Sequence, residues 1–136
     1  MSYLFEYNEI RAGIMSKSRN HRKGDITEGV AALYLQSKGY QILERNWRHG
    51  RYEVDLIAAY QNELVIVEVK YRNGKHTTDP GSEVSKKQWE NLAEAAEAYV
   101  EEKDDDRHIR FDLVILTEGE PPSIEHFEAA HSPSDD

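Results

Sequence analysis

"YEVDLIAAYQNELVIVEVKYR", residues 52–72, is two strand-like runs joined by two residues, and it places Asp55, Glu68 and Lys70 where a buried hairpin would be apolar. β-Branched and aromatic residues dominate both halves, and Gln61-Asn62 makes a two-residue connection, so the stretch predicts a β-hairpin with Tyr60 paired to Glu63. Carrying that register along the strands sets Asp55 opposite Glu68. Side chains alternate on a strand, so Leu64, Ile66, Glu68 and Lys70 share one face while Val65, Val67 and Val69 share the other. Opposed residues hold their Cβ atoms about 4.5–5.5 Å apart. Two carboxylates that close repel, and in a poorly solvated setting one of them tends to keep its proton unless a cation intervenes.

Around the hairpin the periodicity changes. Ile26, Val30, Leu33 and Tyr34 recur at helical spacing, which predicts a helix from Asp25 to Lys38 ended by Gly39. "YQILERNW", 40–47, reads as a strand. After the loop "NGKHTTDPGS", Ser85 and Gln88 fit a capping box that opens a second helix. This helix should bury Trp89, Leu92, Ala93, Ala96, Tyr99 and Val100 and stop near Asp104, because acids oppose the dipole at a helix C-terminus. "IRFDLVILTE", 109–118, is a strand, and "SIEHFEAA", 123–130, is a short strand or turn of helix. The order α-β-β-β-α-β predicts an α/β fold with a central mixed sheet flanked by helices. Residues 1–23 read as a flexible basic arm, 24–130 as one domain and 131–136 as a disordered acidic tail.

The chain has 136 residues, the size of one domain, and no cysteine, which excludes disulfides and thiolate metal sites. No apolar run approaches the roughly 20 residues that span a bilayer. No signal-peptide pattern opens it, and the expectation is a soluble cytoplasmic protein with no membrane partner. The net charge of −9 is uneven: residues 1–75 hold twelve Lys/Arg against nine Asp/Glu, and residues 76–136 hold five against seventeen. Local basic density, more than the total, governs contact with phosphate. Arg45, Arg48 and Arg51 precede the hairpin, Arg72 and Lys75 follow it, and Lys86 and Lys87 open the second helix, together a phosphate-gripping rim for a DNA partner. The acidic half suits a protein partner or a homodimer, although exposed charged helices are commonly just solvated.

Mg²⁺ suits the hairpin's acids, since it is commonly held by one or two carboxylates with water and substrate phosphate. His21, His49, His76, His108, His126 and His131 show no zinc-ligand spacing. Lys70, on the face of Glu68, is placed to orient a metal-bound water and to offset charge building on phosphorus. The plainer reading is a solvated strand face with Lys70 paired to Glu68 or Asp55. Glu53 has the parity of Asp55 and reads as a further acid of the same region. Glu28 also has two readings: with Asp25 it fits a capping box, while Ala31, Ala32 and Leu35 on its own helix face tilt it toward the sheet.

These residues resemble a known group. "EVDLIA" followed by "VIVEVKYR", with Glu28 on a preceding helix, is similar to the PD-(D/E)xK nucleases of restriction-endonuclease-like fold. With "EGVAALYLQSKGYQILERNWR", "RFDLVIL" and "IEHFEAA" added, the chain resembles the YraN-like family of predicted endonucleases over about residues 24–130. The resemblance implies a metal site of Asp55, Glu68 and the Val69 carbonyl, a water-positioning Lys70, and Glu28 as an additional acid near the metal. It also implies kinship with archaeal Holliday-junction resolvases. Thr27 and Tyr52 stand where the family usually has glycine, and Val54 stands in place of the proline of the broader motif. The expected function is a Mg²⁺-dependent endonuclease, with Mn²⁺ as a substitute, hydrolysing DNA phosphodiester bonds, including those of branched or junction DNA, in recombination, repair or DNA processing. The alternative is a non-catalytic nucleic-acid-binding or protein-interaction module that keeps the fold.

Overall fold

The computed structural model describes residues 20–73 and 79–133. The chain runs α1 (Asn20–Ser37), β1 (Gln41–His49), β2 (Tyr52–Tyr60), β3 (Glu63–Arg72), a short α2 (Pro80–Glu83), α3 (Lys86–Lys103), β4 (His108–Thr117) and β5 (Ser123–His131). The five strands form one sheet in sequence order. β1, β2 and β3 pair antiparallel, β3 and β4 parallel, and β4 and β5 antiparallel. The mixed sheet and the element order agree with the expected α/β class.

A parallel pair needs a long crossover, and α2 and α3 supply it between β3 and β4. α1 and α3 cover opposite faces. Ala31, Ala32 and Leu35 of α1 pack with Leu56, Ala58, Val65, Val67 and Val114. Trp89, Leu92, Ala95, Ala96 and Tyr99 of α3 pack with Ile57, Leu64, Ile66, Phe111, Leu113 and Ile115. Burial on both faces is why "LVIV" in β3 and "LVIL" in β4 are continuous apolar runs rather than alternating ones. Ala93 and Val100, expected to be buried, only flank the α3 core, and Ala95 takes the interior position.

The β2–β3 turn follows the predicted register: Tyr60 pairs with Glu63, and the ladder runs regularly to Leu56 with Val67. Gln61 and Asn62 both take positive φ, 47° and 66°. That is the twist a two-residue hairpin wants, and Asn tolerates it better than most residues. At α3, the Gln88 N–H reaches Ser85 Oγ and the Ser85 N–H reaches Gln88 Oε1, both at 3.1 Å, completing the expected capping box. Asp104 ends α3 in the left-handed conformation, φ 52°.

Two boundaries differ from expectation. α1 starts at Asn20 rather than Asp25, so residues 20–23 of the expected arm are helical, while residues 1–19 lie outside the described ones. An N-cap must be non-helical. Asp25 is inside the helix, and the capping-box explanation of Glu28 is therefore removed. At the other end β5 is a strand through His131, whose ring stacks on Trp89 at 5.0 Å; residues 134–136 lie outside the description.

Candidate active site

The register pairing of β2 with β3 ends at Leu56 and Val67. Two residues further along β3 the Val69 N–H, which a continued antiparallel ladder would give to a backbone carbonyl, donates to Asp55 Oδ2 at 2.9 Å. The strands fork at this point, and the acids sit in the fork. Glu68 follows Ile66 on the α3 face, and Lys70 follows Glu68, with Nζ 3.2 Å from Glu68 Oε2. Their side chains are only 12% and 19% exposed, so neither belongs to a solvated strand face. The Glu68–Lys70 pair anticipated by the plainer reading does form.

Burial raises the Glu68 carboxyl from 4.5 to about 7; the charge of Asp55 adds to the rise, and Lys70 opposes it without cancelling it. Glu28 is raised to about 8, first by burial, then by a hydrogen bond with Asp55 and by the charges of Asp55 and Glu53. A carboxyl bonded to a carboxylate must carry the shared proton. Glu28 Oε1 is buried without a hydrogen-bond partner. α1 and the hairpin therefore bring Glu28 and Glu68 to either side of Asp55, where burial and the Asp55 charge disfavour their ionised forms.

An open cleft of about 240 Å³ lies over the fork. Arg51, Tyr52, Glu53, Asp55 and Glu68 line it from the sheet, and Gln88, Asn91 and Leu92 line it from α3. Gln88 and Asn91 escape a search for charged residues. So does Asn46, which bonds the Glu28 carboxyl. Its φ of 52° is left-handed within β1, a conformation that Asn tolerates better than most residues.

The predicted basic rim divides. Arg51 lines the cleft, with its guanidinium 5.3 Å from the centre of the Tyr52 ring. Arg48 is exposed and pairs with Glu53 at 2.9 Å. Arg45 lies with a guanidinium nitrogen 3.4 Å from the place of a Cβ on Gly29, laid against α1. Arg72 forms an ion pair with the buried Glu83 and so ties the end of β3 to α2. Lys86 and Lys87 are exposed beside the cleft's α3 wall without lining it, and Lys75 lies outside the described residues.

A second polar cluster lies on the α1 side of the sheet. Asp112, fully buried, accepts from Arg110 Nε at 2.9 Å and Nη2 at 2.8 Å, from the Ala129 N–H at 3.0 Å, and from His126 Nε2 at 2.7 Å. Burial would raise the Asp112 carboxyl, but these bonds win and hold it below its ordinary value. Lys38 Nζ lies 3.3 Å from His126 Nδ1. An ammonium only donates, so Nδ1 accepts and the ring proton sits on Nε2, toward Asp112. Arg110 also packs over the stacked rings of Tyr40 and Tyr60, whose centres are 4.0 Å apart.

Among the described residues no group of three or more His, Asp or Glu side chains is arranged as it stands to hold a metal ion. A closed protein cage is thus absent from that part of the chain. Mg²⁺ does not require one, because it keeps several waters and takes one or two carboxylates. Asp55 and Glu68 are a pair of that kind, both oxygen donors and both anionic when ionised, with Glu28 beside Asp55. The residues fit such an ion.

Among the described residues no helix is long and apolar enough to cross a membrane. Residues 27–116 match the family described as "Uncharacterised protein family UPF0102". That span runs from α1 through β4 and includes Glu28, Asp55, Glu68 and Lys70. Similar proteins include a UPF0102 protein of Phocaeicola vulgatus, 39% identical over 111 residues, 81% of this chain and 92% of the relative. Another, from Flavobacterium psychrophilum, is 41% identical over 108 residues, covering 79% of this chain and 91% of its own length. One from Nitratidesulfovibrio vulgaris is 38% identical over 112 residues, 81% of this chain and 84% of the relative. A match over most of the folded domain, and relatives aligned over nearly their whole length, establish that the chain belongs to the UPF0102 family, the same family as the YraN-like one.

Proposed function

We propose that this protein is a Mg²⁺-dependent nuclease that hydrolyses DNA phosphodiester bonds, with branched or junction DNA among its substrates, and that Mn²⁺ substitutes for Mg²⁺. The observation that carries the reading is the meeting of Asp55, Glu68 and Lys70 at the fork of β2 and β3, beneath an open polar cleft. Burial and the neighbouring Asp55 charge push Glu28 up to about 8 and Glu68 up to about 7. An arrangement that leaves buried acids short of counter-charge is costly for a purely structural core and suited to a cation.

Asp55 and Glu68 would hold the ion with the Val69 carbonyl, and Glu28 would stand as an additional acid beside it. When bound, Mg²⁺ supplies charge that ionises these carboxyls, polarises a phosphoryl oxygen and acidifies a water. The Asp55–Val69 hydrogen bond fixes one carboxylate to the backbone of the other strand, so the two acids cannot drift apart independently. Lys70, held 3.2 Å from Glu68, orients the attacking water and offsets negative charge as it gathers on phosphorus. Arg51 grips a neighbouring phosphate from the rim.

The test is a cleavage panel of duplex, flap, single-stranded and four-way-junction DNA in Mg²⁺, Mn²⁺ and EDTA, with Asp55→Asn as control. Metal-dependent cleavage by wild type, lost in EDTA and in Asp55→Asn, is the expected result. A folded wild-type protein that cleaves none of them in either metal overturns the reading and favours the non-catalytic module.

A further inference from the structure

We propose that the α3 wall of the cleft is its substrate-gripping side: the side-chain amides of Gln88 and Asn91 hold the sugar-phosphate backbone of a nucleic-acid strand over the acids of the fork. This rests on the nuclease reading and names the residues that would position its substrate. The cleft has two walls of opposite character. The sheet side brings the charged Arg51, Glu53, Asp55 and Glu68 with Tyr52, and α3 brings neutral amides and Leu92.

The orientation of Gln88 follows from its cap. The Ser85 N–H must meet an acceptor, so the amide oxygen, Oε1, is the atom 3.1 Å from it. The Nε2 hydrogens are left as what this residue offers the cleft. That bond from the Ser85 N–H to Oε1 holds the Gln88 side chain against the helix start, so less side-chain entropy remains to be lost when Nε2 binds. Asn91 follows three residues later, at the spacing that puts side chains on one helix face.

Neutral donors suit this place for an electrostatic reason. Lys70 already pairs with Glu68 and Arg51 lines the sheet side, so a further lysine or arginine on the α3 wall would add to the charge competing with a cation, whereas an amide donates to a phosphate oxygen without neutralising the acids. The shape agrees with a strand-like substrate. Pockets that enclose small molecules are mostly apolar and about 300–1,000 Å³. This cleft is smaller, open and lined by a single aliphatic side chain, so it accommodates one segment of an extended polar chain.

Gln88→Glu separates the gripping role from the capping role. Glutamate at this position completes a capping box as glutamine does, but it lacks the Nε2 donors. Binding of a fluorescent DNA is measured in Ca²⁺, and KM and kcat in Mg²⁺, on the best substrate of the panel. Gln88→Glu is expected to melt within a few degrees of wild type, to bind at least about tenfold more weakly and to raise KM with kcat little changed. Asn91→Ala changes no charge and should weaken binding about threefold or more, which separates lost donors from added repulsion. Wild-type affinity and KM in both variants, or a loss confined to kcat, overturn the proposal while leaving the nuclease reading intact. Should Gln88→Glu fail to fold, Asn91→Ala decides the matter by itself. Wild-type protein that neither binds nor cleaves DNA overturns both.

Discussion

The Asp55 carboxylate, not a β2 carbonyl, takes the Val69 N–H, at 2.9 Å. One hydrogen bond thereby ends the ladder, opens the fork and locks the first acid beside the second. Asp55→Asn keeps an acceptor at this place and Asp55→Ala does not. In EDTA the Asn variant should be at least as stable as wild type, while the Ala variant should lose about 1–3 kcal/mol for the orphaned N–H. Urea denaturation measures the difference, and calorimetric titration with Mn²⁺ should show weakened metal binding in both. Equal stability of the two variants would mean that Val69 finds another partner.

Glu68 makes the metal-free protein sensitive to alkali. Its folded carboxyl titrates near 7 against an ordinary 4.5. The folded state therefore binds its proton more tightly than the unfolded chain does. The sign follows: this contribution is fully present below about pH 4.5, declines as pH rises, and is lost above about pH 7. Melting temperature in EDTA should fall with pH across that window in wild type and less steeply in Glu68→Gln. Parallel pH profiles would show that Glu68 does not carry the raised value.

Lys70→Met separates chemistry from structure. If the ammonium acts on the attacking water, the variant keeps DNA affinity in Ca²⁺ close to wild type and cleaves slower by about a hundredfold or more in single-turnover assays. A folded Lys70→Met protein that cleaves at the wild-type rate would remove Lys70 from the mechanism.

Asp112 should govern stability rather than cleavage. Asp112→Ala strips Arg110, His126 and the Ala129 N–H of a shared buried partner, and it should cost about 3–5 kcal/mol. Because the folded carboxyl lies below the ordinary 3.8, its stabilisation is present above that pH and is lost as pH falls through the folded value. Acid denaturation monitored by circular dichroism should begin below about pH 4 in wild type and lose this component in the variant. Full stability of Asp112→Ala would show that the network contributes nothing net.

What the sequence determined by itself is what depends on near neighbours and on period. Gln61-Asn62 set the hairpin register, alternation placed Glu68 and Lys70 with Leu64 and Ile66, and Ser85 with Gln88 announced the start of α3. Each follows from backbone geometry within a few residues, which is why each was legible. Tertiary structure alone decided the rest. That Glu28 lies beside Asp55 and is not part of a cap depends on where α1 begins and on the packing that buries its carboxyl there. That Arg72 is engaged by Glu83 while Arg51 faces the cleft is likewise a matter of which distant side chain arrives nearby. Asp112 meeting His126 across β4 and β5, and Gln88 meeting the acids across the cleft, have no local signature. Side-chain charge is written in the sequence, but its partner and its solvation are set only when strands and helices bring separated residues into one low-dielectric place.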